Sequence, residues 1–288
     1  MSQQNEQEFM KVRIEKTASL RQKGIDPYPT NYKRTHTSKQ AEEAFESAEK
    51  SNMEFHETIK VAGRIMGRRG MGKASFIDLS DTDGQIQIIM RSNVLNEHYE
   101  ILSDLDIGDW IGAEGTLFRT RTGQITVQVE SFSILCKSLR PLPEKWHGLT
   151  DVETRFRQRY LDLISNEDAV KTAKSRSLLV STIRQFMSDR GFIEVETPML
   201  VPIAAGGMAH PFTTHHNALN RDLFLRIATE LHLKRLIVGG IEKVFEIGRV
   251  FRNEGVDLQH NPEFTTMESY EAFSDYNDVM EMVEQLVS

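Results

Sequence analysis

The feature that most constrains the fold is a run of five short segments with alternating apolar and polar residues, between residues 58 and 135. Alternation with a period of two is typical of half-buried β-strands. A segment with helical periodicity, residues 93–103, follows the third strand-like segment. Five strands with a helix after the third favour an OB-fold barrel, a common platform for oligonucleotides. The five segments are TIKVAGRIMGRR, ASFIDLS, GQIQIIM, DWIGAEGTLFRT and QITVQVESFSIL.

Helical patterns and a proline-bearing segment flank this run. Residues 5–22 predict a charged amphipathic helix, and residues 38–50 predict a second helix with Ser38 as its N-cap. The segment LRPLPEKWHG, residues 139–148, indicates a linker. One stripe of the first helix is expected to face inward: Phe9, Val12, Lys16 and Leu20. The expected organisation is a helical extension over 1–55, a barrel over 56–140, a linker over 141–150 and a second domain over 151–288.

The second half of the chain mixes helices with strands. Residues 151–164 and 168–190 have helical periodicity and are rich in arginine. GFIEVETPML predicts a strand that ends at Pro198, DLFLRIA predicts another strand, and ELHLKRLIVGG predicts a helix. Two further strands enclose a polar loop in KVFEIGRVFRNEGVDLQHNPEFTTMESYEAF. The whole is predicted to be a multidomain α+β protein.

Composition narrows the class of protein. The 288 residues carry a net charge of −7, so any contact with nucleic acid must come from a local patch and not from a generally basic surface. No run of about 18 apolar residues occurs, and the polar N-terminus does not resemble a secretory signal. A single cysteine, Cys136, excludes an internal disulfide framework and a cysteine-rich zinc site. These features predict a cytoplasmic protein that does not enter a membrane.

The outer face of the predicted barrel carries groups that suit single-stranded RNA. Alternation places Phe76 on a polar face, where an aromatic ring can stack on a base. Gln87 and Glu130 lie on outward positions and can read base edges, while Arg64 can contact phosphate. The alternative interpretation is an ordinary solvated sheet face with one exposed phenylalanine.

The segment GRRGMGKA, residues 67–74, matches the first part of a phosphate-binding P-loop. That motif requires Ser or Thr after the lysine and a helix behind it. Here Ala74 follows, and the next segment has the alternation of a strand. We therefore predict a glycine-rich basic hairpin at this position.

The polar loop between the last two strands concentrates chemically active side chains. Arg252 and Glu254 share one face by alternation, as do Phe264, Glu268 and Tyr270 on the returning strand. Arginine can neutralise a phosphate or carboxylate, carboxylates can hold an ammonium group, and a phenyl ring can cover a purine. The set therefore indicates a reaction between an anionic phosphate and an amine-bearing substrate. The alternative interpretation is a surface ion-pair network on a hairpin.

The same segments resemble a known family. GFIEVETPML is similar to motif 1 of class II aminoacyl-tRNA synthetases, and FRNEG…HNPEFT is similar to their motif 2. The barrel, the segment LRPLPEKWHGL…RQRYLDLI, and the segments THHNAL and TELHLKRL resemble the lysyl-tRNA synthetases in particular. The resemblance extends over essentially the whole chain. It implies a class II catalytic domain with an antiparallel sheet beside an anticodon-binding OB-fold.

The resemblance also implies a reaction and a set of residue roles. Members of the family join L-lysine to ATP as lysyl-adenylate and then pass lysine to tRNA(Lys). The implied catalytic residue is Arg252, which bridges the α-phosphate and the lysine carboxylate. The implied ATP contacts are Arg252, Glu254, His260 and Phe264. The implied lysine contacts are Gly206, Glu230, Glu268 and Tyr270, and the implied anticodon contacts are Phe76, Gln87, Glu130 and Arg64.

Some family features are missing from these 288 residues. Motif 3 does not occur, and by resemblance the carboxylates that bind Mg²⁺ are expected after residue 288, so no metal ligand is predicted within the chain. Thr229 occupies a position where the family usually has proline. An incomplete copy of a homodimeric, cytoplasmic lysine–tRNA ligase is therefore expected. The alternative is a non-catalytic tRNA-binding relative or fragment.

Overall fold

The five predicted strands close into a barrel in the computed structural model, which describes residues 3–143, 149–257 and 259–288. The strands hydrogen-bond in the order β1-β2-β3-β5-β4, and β1 also pairs with β4. The pairing of β3 with β5 is parallel, and every other pairing in this barrel is antiparallel. The strands are β1 (Thr58–Met71), β2 (Ala74–Ser80), β3 (Gln85–Arg91), β4 (Trp110–Arg119) and β5 (Ile125–Cys136).

Alternation along these strands builds the barrel core, because every second side chain points inward. The buried inward residues include Ile59, Val61, Ile77, Leu79, Ile88, Val127 and Val129. The predicted helical piece after β3 is a short helix, α3 (Ser92–Leu95), followed by a 3₁₀ segment, Asn96–Asp104. Segment 67–74 comprises the end of β1, a two-residue turn of Gly72 and Lys73, and the first residue of β2, as predicted for a hairpin and not for a phosphate-binding loop.

The first helix, α1 (Gln3–Gln22), packs through a stripe that shares Lys16 and Leu20 with the predicted one but not Phe9 and Val12. Phe9 and Val12 are exposed, whereas Arg13, Thr17 and Leu20 are buried. The guanidinium of Arg13 donates to three backbone carbonyls, among them those of Ser138 and Ile107. An arginine is therefore buried in place of an apolar side chain, because the barrel presents carbonyl oxygens that need donors at this point.

A buried lysine completes the attachment of α1. Lys137 is 3% exposed, and its ammonium group donates to the carboxylates of Asp106 and Asp109 at 2.8 and 2.6 Å. Lys16 of α1 reaches Asp106 at 2.6 Å. Burial raises the pKa of Asp106, but the hydrogen bonds from Lys137 and Lys16 outweigh it and hold the pKa below its ordinary value.

The second helix, α2 (Ser38–Lys50), is capped by Thr37 and not by Ser38 as predicted. The Thr37 side chain accepts from the backbone N–H of Gln40, and the Gln40 side chain accepts from Thr37 N–H, which is a capping box. Ser38 instead binds Asp81 with both its N–H and its hydroxyl, at 2.7 Å each. Asp81 thereby connects α2 to the turn after β2.

The remainder of the chain forms helices and two small sheets. The chain divides into two compact units, Met1–Ser165 and Asn166–Ser288, and the predicted linker residues 144–148 lie outside the described residues. One sheet has the order β11-β10-β6, and the other has the order β7-β9-β8. The helices are α4 (Val152–Arg157), α5 (Arg159–Ser165), α6 (Glu167–Asp189), α7 (Glu230–Val238) and α8 (Tyr276–Val287). The strands are β6 (Ile193–Glu194), β7 (Leu200–Val201), β8 (Thr213–His216), β9 (Arg221–Leu225), β10 (Lys243–Phe251) and β11 (Glu263–Glu271).

The predicted strand in GFIEVETPML is only partly regular. It contributes the two short strands β6 and β7, which belong to different sheets. Pro198 lies between them and lacks the N–H that a continuous ladder would need. The hairpin of β10 and β11 is long and regular, as predicted.

A buried ion pair lies beneath this hairpin. Arg226 and Glu246 are 2% and 3% exposed, and the guanidinium donates to the carboxylate at 2.6 Å. The hydroxyl of Thr197 donates to the other carboxylate oxygen at 2.6 Å. The Nε of Arg226 donates to the carbonyl of Arg249, and a Cβ on Gly248 would collide with the guanidinium. The pair therefore requires a glycine on β10.

Among the described residues, no helix is both long and apolar enough to cross a membrane.

Candidate functional sites on the hairpin and on the barrel

The register of β10 and β11 determines which side chains of the hairpin lie together. Val250 pairs with Phe264, Glu246 pairs with Glu268, and Val244 pairs with Tyr270. Because side chains alternate along a strand, Phe264, Glu268 and Tyr270 lie on one face. This is the arrangement that alternation in the sequence predicts.

At one end of this face, Glu268 and Tyr270 lie close to Glu230 of α7, so that two carboxylates and a phenol come together. Glu268 Oε1 accepts from the backbone N–H of Thr229 at 3.2 Å, and Tyr270 OH donates to Glu268 Oε2 at 3.4 Å. Glu230 is the first residue of α7, where the helix dipole favours a negative charge. Burial, and then the nearby charges of Glu268 and Glu230, raise the pKa of Tyr270 to about 12, so the phenol is protonated at neutral pH.

Gly206 lies against the same group of side chains. Its φ of +93° is in the left-handed region, and a Cβ there would lie 2.7 Å from the Cβ of Ala228 and 3.3 Å from the carboxylate of Glu230. Glycine is therefore needed both for the backbone conformation and for the close approach. The structure thus brings together all four residues predicted to contact lysine: Gly206, Glu230, Glu268 and Tyr270.

The charge of this group suits an amine. Lys234 Nζ lies 2.5 Å from Glu230 Oε1 and 5.8 Å from the ring centroid of Tyr270. With Tyr270 neutral, one lysine and the two glutamates leave one negative charge to be balanced. An ammonium group of a ligand would balance it.

Arg252 and Phe264 lie together further along the hairpin. The guanidinium carbon is 5.2 Å from the ring centroid, and Arg252 N–H donates to the carbonyl of Pro262 at 2.8 Å. Within the described ranges the Arg252 side chain has no hydrogen bond and no ion pair, and it is exposed. Its fork of donors is available to an anion, and the ring beneath it is available to a planar base once the guanidinium moves.

Glu254 and His260 are not brought to Arg252 by any described contact. Both are exposed on the loop between β10 and β11, of which Leu258 lies outside the description. The ring of His260 pairs with Asp257 at 2.8 Å. Backbone N–H of Gln259 and then the His260 ring lower the pKa of Asp257. Their role as ATP contacts stays a prediction.

A second candidate site is a cavity of about 590 Å³ on the outer surface of the barrel. Phe76 lies on its wall, half-buried. Gln87 is only 6% exposed, and its amide oxygen accepts from the hydroxyl of Thr126 at 3.0 Å, so it forms a fixed wall and not a free outward group. The cavity is lined further by Arg69, Arg91, Arg119, Arg121, Phe118 and Gln124.

Arg64 and Glu130 do not line this cavity. A β-bulge between Ile65 and Gly67 shifts the parity of β1 beyond that point, so that Arg69 and not Arg68 pairs with Phe76, whereas Arg64 pairs with Ser80. Arg64 donates to the carbonyl of Gly108 at 2.8 Å, and burial lowers its pKa. Glu130 is exposed at a second bulge, in β5. Alternation in the sequence cannot reveal bulges, because the extra residue is defined only by the partner strand.

Comparison with known proteins agrees with this division into two functional parts. The family of OB-fold nucleic acid binding domains matches residues 59–135, and the family of class II tRNA synthetases (D, K and N) matches residues 151–288. The lysine–tRNA ligase of Dehalococcoides mccartyi is 56% identical over 277 residues, which cover 96% of this chain. The chain belongs to the lysine–tRNA ligase family of class II tRNA synthetases.

Two other members of the family are also similar to this chain over nearly its whole length. The lysine–tRNA ligase of Carboxydothermus hydrogenoformans is 54% identical over 289 residues, covering 100% of this chain and 58% of that protein. The lysine–tRNA ligase of Lactococcus lactis is 54% identical over 279 residues, covering 96% of this chain and 56% of that protein. The chain therefore spans little more than half the length of these members of the family.

Sequence reasoning gave no site role to three residues next to the group of Gly206, Glu230, Glu268 and Tyr270, which is called the amine pocket below. Thr229 holds Glu268 through its backbone, Lys234 pairs with Glu230, and Arg226 supports the strand beneath. Lys234 could have been predicted, because Glu230 and Lys234 have i, i+4 spacing on a predicted helix. The others depend on contacts between distant segments. No group of three or more His, Cys, Asp or Glu that could hold a metal ion occurs in the described part of the chain.

Proposed function

We propose that the protein containing this chain is a lysine–tRNA ligase, which activates L-lysine with ATP and transfers it to tRNA(Lys). The observation that carries the proposal is the grouping of Gly206, Glu230, Glu268 and Tyr270 around one unbalanced negative charge, on the same hairpin face as Arg252 and Phe264. The acidic end suits the ammonium groups of lysine. The arginine end suits a phosphate and a carboxylate.

The chemistry needs positioning and charge neutralisation more than a protein nucleophile. A carboxylate oxygen of lysine attacks the α-phosphorus of ATP, the bond from that phosphorus to the β-phosphate oxygen breaks, and pyrophosphate leaves. The guanidinium of Arg252 neutralises charge on both reacting groups. In the second step a terminal ribose hydroxyl of tRNA attacks the lysyl carbonyl and AMP leaves. Mg²⁺, whose carboxylate ligands the resemblance places after residue 288, would neutralise phosphate charge alongside Arg252.

The proposal is tested by lysine-dependent exchange of pyrophosphate into ATP, measured on the full-length protein. Lysine should support exchange, whereas norleucine, which has the same carbon chain but lacks the side-chain ammonium, should not. The physical reason is that norleucine would leave the negative charge of the pocket unpaired and desolvated. By resemblance Glu268 lies along the lysine side chain and Glu230 lies at the α-ammonium, which norleucine keeps. Equal exchange with both amino acids would therefore contradict the assignment of Glu268.

For the barrel we propose binding of the anticodon loop of tRNA(Lys). The support is the cavity lined by Phe76 and by four arginines, since single-stranded RNA sites combine stacking rings with cations. If the wild-type protein binds this RNA but shows no lysine-dependent exchange, a non-catalytic tRNA-binding relative becomes the better description. A role in aminoacylation also implies that the protein acts in the cytoplasm.

Replacing Phe76 with alanine should weaken binding of a tRNA(Lys) anticodon stem-loop by about 1–3 kcal/mol, the loss expected for one stacked base. Binding is measured by fluorescence anisotropy at fixed salt. Phe9→Ala is the matched control, because Phe9 is an exposed phenylalanine of the same unit outside the cavity. Equal losses in the two variants, or no preference for U at the central anticodon position, would contradict the proposal.

We further propose that the full-length protein is an isologous homodimer, as the resemblance of GFIEVETPML to motif 1 implies. Ile193, Met199 and Leu200 of this segment are exposed large apolar side chains, which suits burial against a second copy. Sedimentation equilibrium at micromolar concentration should give the mass of a dimer. A monomer under these conditions would contradict the prediction.

A further inference from the structure

Thr229 carries an unusual hydroxyl. In the part of the chain that the structure describes, its Oγ1 is the one buried side-chain oxygen or nitrogen without a hydrogen-bond partner. Thr229 is 1% exposed and directly precedes α7, where threonine ordinarily caps the helix with its hydroxyl. Its backbone is in the right-handed helical region, with φ −98° and ψ −8°, and the hydroxyl makes no capping bond. A buried hydroxyl without a partner costs free energy, so its presence needs a reason.

The backbone N–H of Thr229 binds Glu268, one of the two carboxylates of the amine pocket. Thr229 N–H donates to Glu268 Oε1 at 3.2 Å, while Tyr270 OH donates to Glu268 Oε2 at 3.4 Å. Thr229 also stands next to Glu230, the other carboxylate of the pocket. The unpaired hydroxyl therefore belongs to a residue that already holds one of the two carboxylates.

At two other places in the chain, a serine or threonine binds a carboxylate with both its backbone N–H and its side-chain hydroxyl. Ser38 holds Asp81 with its N–H and its hydroxyl, both at 2.7 Å. Thr154 holds Asp151 with its N–H at 2.7 Å and its hydroxyl at 2.6 Å. A serine or threonine can thus clamp a carboxylate with two donors. Between Thr229 and Glu268 the backbone half of the clamp is made, and the hydroxyl half is open.

We propose that Thr229 is a positioning residue of the amine pocket, and that its hydroxyl completes a two-donor clamp on Glu268 when a ligand ammonium group binds there. The inference rests on the proposed binding of lysine by Glu230 and Glu268. An ammonium group on Oε2 competes with the weak bond from Tyr270 and turns the carboxylate, so that Thr229 can use both donors. The hydroxyl gains its partner only when an ammonium group occupies the pocket. The extra hydrogen bond in the ligand-bound state therefore adds to ligand affinity.

The test compares Thr229→Val, which keeps the shape but removes the hydroxyl, with Thr229→Ser, which keeps the hydroxyl. The full-length variants are titrated with lysine and, separately, with ATP. Thr229→Val should raise the thermal midpoint without ligand, because it removes an unpaired buried polar group. It should weaken lysine binding about tenfold, equivalent to about 1.4 kcal/mol, and leave ATP binding unchanged. Thr229→Ser should bind lysine like the wild type.

Kinetics separate positioning from a purely structural role. In pyrophosphate exchange, Thr229→Val should raise KM for lysine and leave kcat at saturating lysine unchanged. Wild-type lysine affinity in Thr229→Val would overturn the clamp but leave the lysine pocket intact. A lower thermal midpoint in Thr229→Val would also overturn it, because the hydroxyl would then be paired in the free protein. Absence of lysine binding by the wild type would instead overturn the proposed function itself.

Discussion

Replacing Arg252 with alanine should lower the rate of lysine-dependent pyrophosphate exchange by about 10²–10³-fold, the usual cost of removing one donor that contacts the transition state. The side chain has no hydrogen bond or ion pair to any described residue and lies over the ring of Phe264, so its loss breaks no other polar contact of the fold. The expected loss is therefore one of catalysis and not of stability. The thermal midpoint of Arg252→Ala should stay close to that of the wild type.

The matched control is Arg249→Ala. Arg249 is on the same hairpin and exposed, but its side chain pairs with Glu263 at 3.1 Å on the opposite face. Its replacement should leave the exchange rate nearly unchanged. Arg252→Lys should restore little activity, because an ammonium group cannot span two oxygens in a fixed plane. Full activity of Arg252→Ala, or equal losses in Arg252→Ala and Arg249→Ala, would contradict the assignment of Arg252.

The second large effect is on stability. Glu246→Gln should lower the free energy of unfolding of the unit Asn166–Ser288 by about 3–5 kcal/mol, because it leaves the charge of Arg226 buried without a counter-charge. Arg226 is 2% exposed, and its other donors already bind the carbonyls of Arg249 and Thr197. The guanidinium is therefore almost fully shielded from water. Urea unfolding followed by circular dichroism measures the change.

Glu263→Gln is the control for this experiment, since it removes the same charge from an exposed pair on the same hairpin. Side chains of Arg249 and Glu263 are 49% and 53% exposed, and such surface pairs contribute about 0–1 kcal/mol. A loss in Glu246→Gln no larger than that in Glu263→Gln would show that the buried pair contributes little.

Local periodicity in the sequence predicted much of the fold. Alternation identified all five barrel strands and placed Phe76 on the outer face. The same alternation placed Phe264, Glu268 and Tyr270 together on β11. These predictions succeed because the side-chain direction in a strand depends only on position along that strand. The resemblance to a family then supplied what periodicity does not contain, namely Gly206 and Glu230 as further members of the pocket.

The sequence by itself therefore determined the strands, their faces and the family. Only the tertiary structure decided which groups each of these side chains contacts. It buried Arg13 of α1 against backbone carbonyls, directed the Arg64 side chain to the carbonyl of Gly108, and left the Thr229 hydroxyl unpaired. Each of these outcomes depends on atoms contributed by segments that are distant in the chain. Hydrogen-bond donors and acceptors in the interior are satisfied by whatever the fold brings near them, and one-dimensional periodicity carries no information about that neighbour.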